Sequence, residues 1–359
     1  MKLAEVFSSA ALDADLTVWD NAQAPGVAAC ELAGLAYQAH GEWREDVRLE
    51  GFDDGVMLSA GAAQVGVAWR YDAPANRLLV IIAARGTSEG WDIISDLRSI
   101  IRWPWPGVLP SSVWAGKGIL RQVQAIGPKL RDHMRSLRTY PDGHPWAELD
   151  IVVMGHSLGG VMCYLLLPLL SYWGYRVRVC YTFESPRVFG KKGARWFDSN
   201  TRGHKVRPRV TVLPGRWGPV YRVVNFHVAA DGRTYRDPVV GAPPSCPPIS
   251  AKHAGIPVLL KTAGDPAIVG QGPWGNYKDA TPLSVLRTLR LAKSARAHGW
   301  MEGLRKMKAL PGHRAGMDAE EHADGWHTPE RDAENDVLPR VILPRKEDTA
   351  RRRDPDVPA

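Results

Sequence analysis

The sequence predicts an α/β fold: a mostly parallel central sheet with helices on both faces. Three observations carry this. Apolar-dominated runs of strand length at 149–154, 177–183 and 220–226 are separated by helical stretches rather than by short turns. The runs lack the strict alternation of a sheet with one wet face, so both faces are expected to be covered. The first run also passes through a glycine-flanked turn directly into an apolar helix, within residues 151–160.

Taken in order, residues 1–40 read as helical, with Ala28, Leu32, Leu35 and Ala36 on one face at helical spacing. The apolar runs 65–69 and 78–84 flank RYDAPANR, whose Asp, Pro and Asn favour a turn, so they read as a hairpin. Residues 116–140 form a long amphipathic helix, with Ile119, Leu120, Val123, Ile126, Leu130, Met134 and Leu137 on its apolar face. Pro128 inside it predicts a kink or break. The strand at 149–154, a helix over 161–172 and the strands at 177–183 and 220–226 follow. Right-handed crossovers then set both helices against the sheet. Residues 283–310 read as a basic helical stretch. From 313 to 359 the composition turns to Asp, Glu, Arg and Pro, which predicts a charged, mostly disordered tail after a single 1–312 domain. A short extended piece is expected at 337–343.

Composition narrows the functional classes. The chain has 359 residues and a net charge of +8. Its last 47 residues hold 12 acidic against 8 basic side chains, so the first 312 carry +12. That basic body could favour anionic surfaces, but its charges match no nucleic-acid module, and no nucleic-acid partner is expected. No apolar stretch approaches the ~20 residues of a membrane span. Glu5, Asp13 and Asp15 interrupt what a secretory leader would need, so a cytoplasmic location or leaderless export is expected. Four scattered cysteines mark neither a disulfide framework nor a zinc site, and no metal or cofactor is expected. His322 and His327 in the tail are spaced too loosely to change that.

The chemistry concentrates in IVVMGHSLGG, residues 151–160. Gly155-His156-Ser157-Leu158-Gly159 is the G-x-S-x-G pattern in the strand–turn–helix context that a nucleophile elbow requires. Gly155 and Gly159 are expected where strand and helix come too close for side chains. Ser157 would be held out on a strained turn, and the Leu158 amide at the helix N-terminus would face a developing oxyanion. A base and an orienting acid should follow in the order Ser, Asp/Glu, His. Asp237 beyond the strand at 220–226 and His253 in a later loop fit those roles. Asp231 reads as a turn residue, His227 as part of the strand, and His204 and His298 as fallback bases. A second oxyanion donor is expected in Arg85-Gly86-Thr87-Ser88, at the Thr87 amide.

These pieces together resemble the class 3 (fungal-type) lipase family of α/β-hydrolases. The resemblance rests on A-A-R-G-T at 83–87, W-D-I-I-S-D-L at 91–97, V-M-G-H-S-L-G-G at 153–160 and Y-T-F-E-S-P-R-V-F-G at 181–190. R-V-V-N at 222–225, D-P-V-V at 237–240 and H-A-G at 253–255 follow in family order. It implies Ser157 as nucleophile, Asp237 and His253 completing a triad, and the Thr87 and Leu158 amides as oxyanion hole. Two departures stand out. Residues 226–236 lengthen the interval between R-V-V-N and D-P-V-V, which leaves Asp231 as an alternative acid. The region around Gly116-Lys117-Gly118 lacks the family's histidine-containing V-H-x-G-F motif.

The resemblance also implies a lid after Thr87. Residues 88–112 are rich in large apolar groups, among them Trp91, Ile94, Leu97, Trp103 and Trp105, expected to touch an acyl chain. The expected function is a serine carboxylic ester hydrolase, most simply a lipase acting on acylglycerols or related lipid esters. Such an enzyme would work at a transient membrane or lipid-droplet interface. Phospholipase A1 activity, acyl transfer, and a non-catalytic lipid-binding module are the alternatives.

Overall fold

The computed structural model describes residues 1–37, 42–86, 102–139, 148–202, 216–228, 234–236, 245–246, 249–260, 268–269 and 306–308. The chain divides into two units, Met1–Met317 and Asp318–Ala359, and every described residue belongs to the first.

The chain opens with the short helices α1 (Leu3–Val6) and α2 (Ser9–Asp13), then α3 (Trp19–Leu35) and α4 (Glu42–Leu49). Three strands follow: β1 (Asp54–Ala60), β2 (Ala63–Asp72) and β3 (Arg77–Ala84). β2 and β3 form the expected antiparallel hairpin, and β1 extends it at the edge. After β4 (Arg102–Pro104) and β5 (Trp114–Gly116) comes α5 (Lys117–Leu137). This helix runs unbroken through Pro128, whose position is exposed, so the bond lost there faces water rather than core. Next are β6 (Glu148–His156), α6 (Leu158–Tyr172), β7 (Val177–Phe183), β8 (Phe189–Gly190) and α7 (Lys191–Ser199). The chain continues through β9 (Val220–Val228), β10 (Thr234–Arg236), β11 (Ser245–Cys246), β12 (Ile249–Lys252), β13 (Ile256–Leu260) and β14 (Ile268–Val269).

Among the described residues the main sheet has the order β1-β2-β3-β6-β7-β9-β13-β14, with β10 paired to β9. The strands β3, β6, β7, β9 and β13 are mutually parallel. Alternate residues of the central strands leave for opposite faces. Val80, Ile82, Ile151 and Val153 pack with α5 and α6, whereas Ile81, Ala83, Val152 and Met154 pack with α1, α3 and α4. Two apolar layers therefore sandwich the sheet, and that is why its strands read as nearly continuous apolar runs. A second, five-stranded sheet of the order β11-β12-β8-β5-β4 was not expected. Its strands are two to four residues long, too short for a periodic signal.

At the N-terminal edge of the main sheet, buried ion pairs fasten the first helices down. Arg77 at the start of β3 donates to Asp13 at 2.7 Å and to the buried Asp150 of β6 at 2.9 Å. Arg178 of β7 donates to Asp13 at 2.7 Å and to the Leu12 carbonyl at 2.6 Å. The cysteines Cys30, Cys163 and Cys180 are buried free thiols, as small apolar packing residues should be.

Candidate active site

β6 ends at His156 and α6 begins at Leu158, so Ser157 alone makes the turn. Its φ of 55° and ψ of −124° lie outside the conformations ordinary side chains prefer. The Ser157 amide donates to the Phe183 carbonyl at 2.8 Å, which keys the turn to the neighbouring strand. The flanking glycines are a consequence of crowding. A Cβ on Gly155 would lie 2.6 Å from the Gly159 carbonyl, and one on Gly159 would lie 2.7 Å from the carbonyl carbon of Ala84. The ends of β3 and β6 and the first turn of α6 thus meet backbone to backbone. Leu158, buried, is the first residue of α6, and its amide belongs to the unsatisfied N–H groups of that helix end.

The turn after β3 is clamped beside the elbow. The Arg85 amide donates to the Gln64 carbonyl at 3.0 Å, and its guanidinium reaches the Gln64 side chain. The Tyr37 hydroxyl, just past the end of α3, lies 2.9 Å from His156 Nδ1. Burial raises the Tyr37 phenol above its ordinary range, against an opposing hydrogen bond from the Gly86 amide and the Arg85 charge. The phenol therefore stays protonated and accepts from the Gly86 N–H. A Cβ on Gly86 would lie 2.7 Å from the His156 carbonyl, so this backbone passes tightly against the elbow. With the Gly86 amide engaged by Tyr37, the next amide along the chain is that of Thr87. Thr87 itself lies outside the described residues. Sequence reasoning did not single out Tyr37; a tyrosine 119 positions from His156 leaves no local signal.

Glu184 also holds a left-handed backbone, φ 50°, and is buried one residue beyond β7. Its amide donates to the Val223 carbonyl at 3.0 Å. Two strained, buried, non-glycine residues thus sit at the C-terminal ends of adjacent parallel strands, the edge where α/β sheets hold their ligands.

The long interval before D-P-V-V has a simple structural form. β9 continues past its pairing with β13, which ends at Asn225, and folds back as β10. Arg236 returns to lie opposite Phe226, with 229–233 between the two strands. His227 sits within β9 opposite Tyr235, a strand residue as expected. The hairpin therefore brings the chain back to where R-V-V-N left the sheet edge. Asp237 is the next residue after Arg236, and both it and Asp231 fall outside the described residues.

His253, the base expected from its H-A-G motif, lies in the connection from β12 to β13. His156, Phe183, Val223 and Val258 form one row across β6, β7, β9 and β13. Ser157 lies one residue beyond that row, whereas Ile256 lies two residues before it and three strands away. Ile256 is thus about 10 Å along and about 14 Å across from the elbow. His253 precedes Ile256, in the connection from β12, and is tied to the opposite part of the fold. The Tyr164 hydroxyl, midway along α6, donates to the Ala254 carbonyl at 3.0 Å. The Gly255 amide donates to Asp198 of α7 at 2.8 Å, and Lys252 pairs with Phe189.

Of the stretch expected to form a lid, Trp91, Ile94 and Leu97 lie outside the described residues. The far end of that stretch is anchored rather than free. Trp103 is in β4, which pairs with β5, and Trp105 and Val108 pack against the α5–α6 core beside buried Leu109. Among the described residues no group of three or more His, Cys, Asp or Glu side chains is placed to hold a metal, and no helix is long and apolar enough to cross a membrane.

Residues 81–214, which contain the elbow and the Arg85–Gly86 turn, match the family model for lipases of class 3. Over that stretch the chain is similar to the class 3 lipases. Its doubly covered parallel sheet is the α/β-hydrolase fold, and the assignment makes it a lipase-type serine ester hydrolase. Among solved structures, the chain is similar to a triacylglycerol lipase from Penicillium expansum, at 18% identity over 70% of this chain and 84% of that one, with a TM-score of 0.47. A triacylglycerol lipase described as having a serine protease triad at its catalytic centre is 21% identical over 72% of this chain and 90% of that one, with a TM-score of 0.48. The Rhizomucor miehei lipase in complex with its propeptide is 19% identical over 67% and 71%, with a TM-score of 0.44. No curated protein matches the chain by sequence.

Proposed function

We propose that the chain hydrolyses acylglycerols or related lipid esters through an acyl-enzyme on Ser157. The observation that carries this reading is the strained Ser157 backbone between the Arg85–Gly86 turn and the N-terminus of α6. Ser157 Oγ attacks the ester carbonyl while a histidine takes its proton. The Leu158 and Thr87 amides hold the oxyanion as the tetrahedral intermediate forms. Losing one such donor costs roughly 3 kcal/mol, about a hundredfold in rate. The protonated histidine releases the alcohol, and water then repeats the attack to free the acid. Ser157 is only 1% exposed, so an ester reaches it by displacing what covers it. That supports the lid expected near 88–112, whose apolar residues include Trp91, Ile94 and Leu97.

Asp237 is the acid of this reading, because the β9–β10 hairpin returns the chain to the sheet edge at the residue before it. The base is assigned to His298 in place of His253. It follows Asp237 in the required chain order, and the β13 register sets His253 ahead of the row that ends at the elbow. The test is hydrolysis of p-nitrophenyl butyrate and of an acylglycerol emulsion by wild type and three variants. Ser157→Ala and His298→Ala are expected to lose at least about a thousandfold in kcat, and His253→Ala less than about tenfold. A Ser157→Ala variant as active as wild type would end the hydrolase reading. An inactive His253→Ala beside an active His298→Ala would return the base to His253. Activity on short soluble esters alone would remove the lipase half.

A further inference from the structure

The face opposite the candidate active site holds a second concave site. A cavity of 330 Å³ opens where β7 and β9 begin, lined by Asp13, Asp15, Arg176, Arg178, Arg202 and Arg216, with the Trp217 ring at its wall. β7 separates it from the elbow by six residues of strand, about 20 Å. Its walls are built rather than incidental. Thr201 and Trp217 form a parallel bridge, the Arg202 amide donates to the Trp217 carbonyl at 3.2 Å, and the Trp217 indole donates to Thr201 Oγ1 at 3.0 Å. This frame fixes the backbone at Arg202 and Arg216, which flank the bridge diagonally, one on each chain segment. The Gly218 amide donates to the Val177 carbonyl at 2.9 Å and closes the floor.

The charges around the cavity do not cancel. Arg178 is committed to Asp13 and to the Leu12 carbonyl, and Asp13 also serves Arg77. Asp15 accepts from the Thr17 hydroxyl at 2.7 Å and from its amide at 3.1 Å. Beside those Thr17 bonds, Arg202 is near enough to Asp15 for its charge to help lower that carboxyl, Arg216 is in no ion pair among the described residues, and both arginines are exposed. The sequence that joins them adds Lys205, Arg207 and Arg209 and no acidic residue. Two guanidinium forks on a rigid bridge, in a cavity of this size with a surplus of positive charge, match the oxygens of a phosphate group.

We propose that this cavity is a phosphate-binding site, separate from the ester-cleaving edge, that takes the phosphoryl head of a phosphorylated small molecule or of an anionic phospholipid. Arg202 and Arg216 grip the phosphate oxygens, and Asp15 limits the charge the site accepts. The proposal does not rest on esterase activity, and its test reads binding alone. The full chain is titrated with inorganic pyrophosphate by calorimetry at low ionic strength, and sedimented with vesicles containing phosphatidic acid. Wild type is expected to bind, and the Arg202→Gln/Arg216→Gln variant to bind at least about tenfold more weakly, with the wild-type difference shrinking as salt is added. Asp15→Asn, which keeps an acceptor for Thr17, is expected to bind more tightly than wild type and so supplies a gain that misfolding could not mimic. Pyrophosphate binding without vesicle binding identifies a soluble phosphate ester as ligand, and arginine-dependent binding to both identifies the lipid headgroup. Binding that is absent from wild type for both probes, or equal in wild type and the double arginine variant, overturns the proposal.

Discussion

A methyl group is the smallest change that separates the elbow from an ordinary turn. On Gly159 it would press on the carbonyl carbons of Ala84 at 2.7 Å and Arg85 at 2.8 Å, and neither backbone has room to retreat. Gly159→Ala is therefore expected to cost about 3 kcal/mol in urea unfolding, with ester hydrolysis falling alongside. A variant as stable as wild type would show that the three segments do not meet as described. At this scale the sequence was informative because the elbow is local. Gly155, Ser157, Leu158 and Gly159 are close together, and their spacing states the geometry. The Tyr37–His156–Gly86 contact was not legible, since its partners are brought together only by the packing of α3 beneath the sheet.

Ion pairs and buried carboxyls act between elements. Arg77 joins β3 to α2 and β6, and Asp150 is only 2% exposed. Arg77→Ala leaves that carboxylate buried with Arg178 at 3.4 Å as its remaining ion-pair partner among the described residues. Breaking a buried pair from one side costs about 3 kcal/mol, and the loss should appear as a lower urea midpoint with an unchanged slope. Asp198 carries the pH signal. Burial pushes its carboxyl from 3.8 up to about 7, against the Gly255 N–H bond and the Arg222 charge. The folded chain then holds a proton that the unfolded chain has already released between about pH 4 and pH 7. This contribution is fully present below that window and lost as pH rises through it. Thermal midpoints of wild type are expected to fall between about pH 5 and pH 8, and Asp198→Asn to flatten that fall. An unchanged slope in the variant would place the titrating group elsewhere. The helices α5 and α6 and the strands β2, β3, β6, β7 and β9 were read near their observed bounds, because each carries a sustained apolar pattern. In contrast, β1, α4 and α7 were not read, and residues 1–40 divide into three helices among the described residues. The strands β4, β5, β8, β11 and β12 escaped, being too short to repeat anything.

Charge and tail belong to the whole molecule. The segment 313–359 is acidic and poor in apolar residues, in contrast to the basic first 312 residues. Its deletion is expected to leave hydrolysis of p-nitrophenyl esters within about twofold of wild type, because its composition offers little apolar surface for packing on a domain. A large loss of kcat in the truncated protein would assign the tail a part in catalysis. The two proposals place their sites at opposite ends of one set of parallel strands. Ester chemistry is proposed at the carboxyl ends, and phosphate binding where β7 and β9 begin.

By itself the sequence determined the α/β class and singled out Ser157 as the candidate nucleophile, since apolar period and the G-x-S-x-G turn are properties of neighbouring residues. Only the tertiary structure decided the strained backbone of Ser157 and the register that sets His253 ahead of β13, because both depend on segments far apart in the chain. H-A-G and D-P-V-V look equally suggestive as text. Strand direction distinguishes them: the chain meets the elbow's edge when it leaves a parallel strand, and His253 stands where a strand begins.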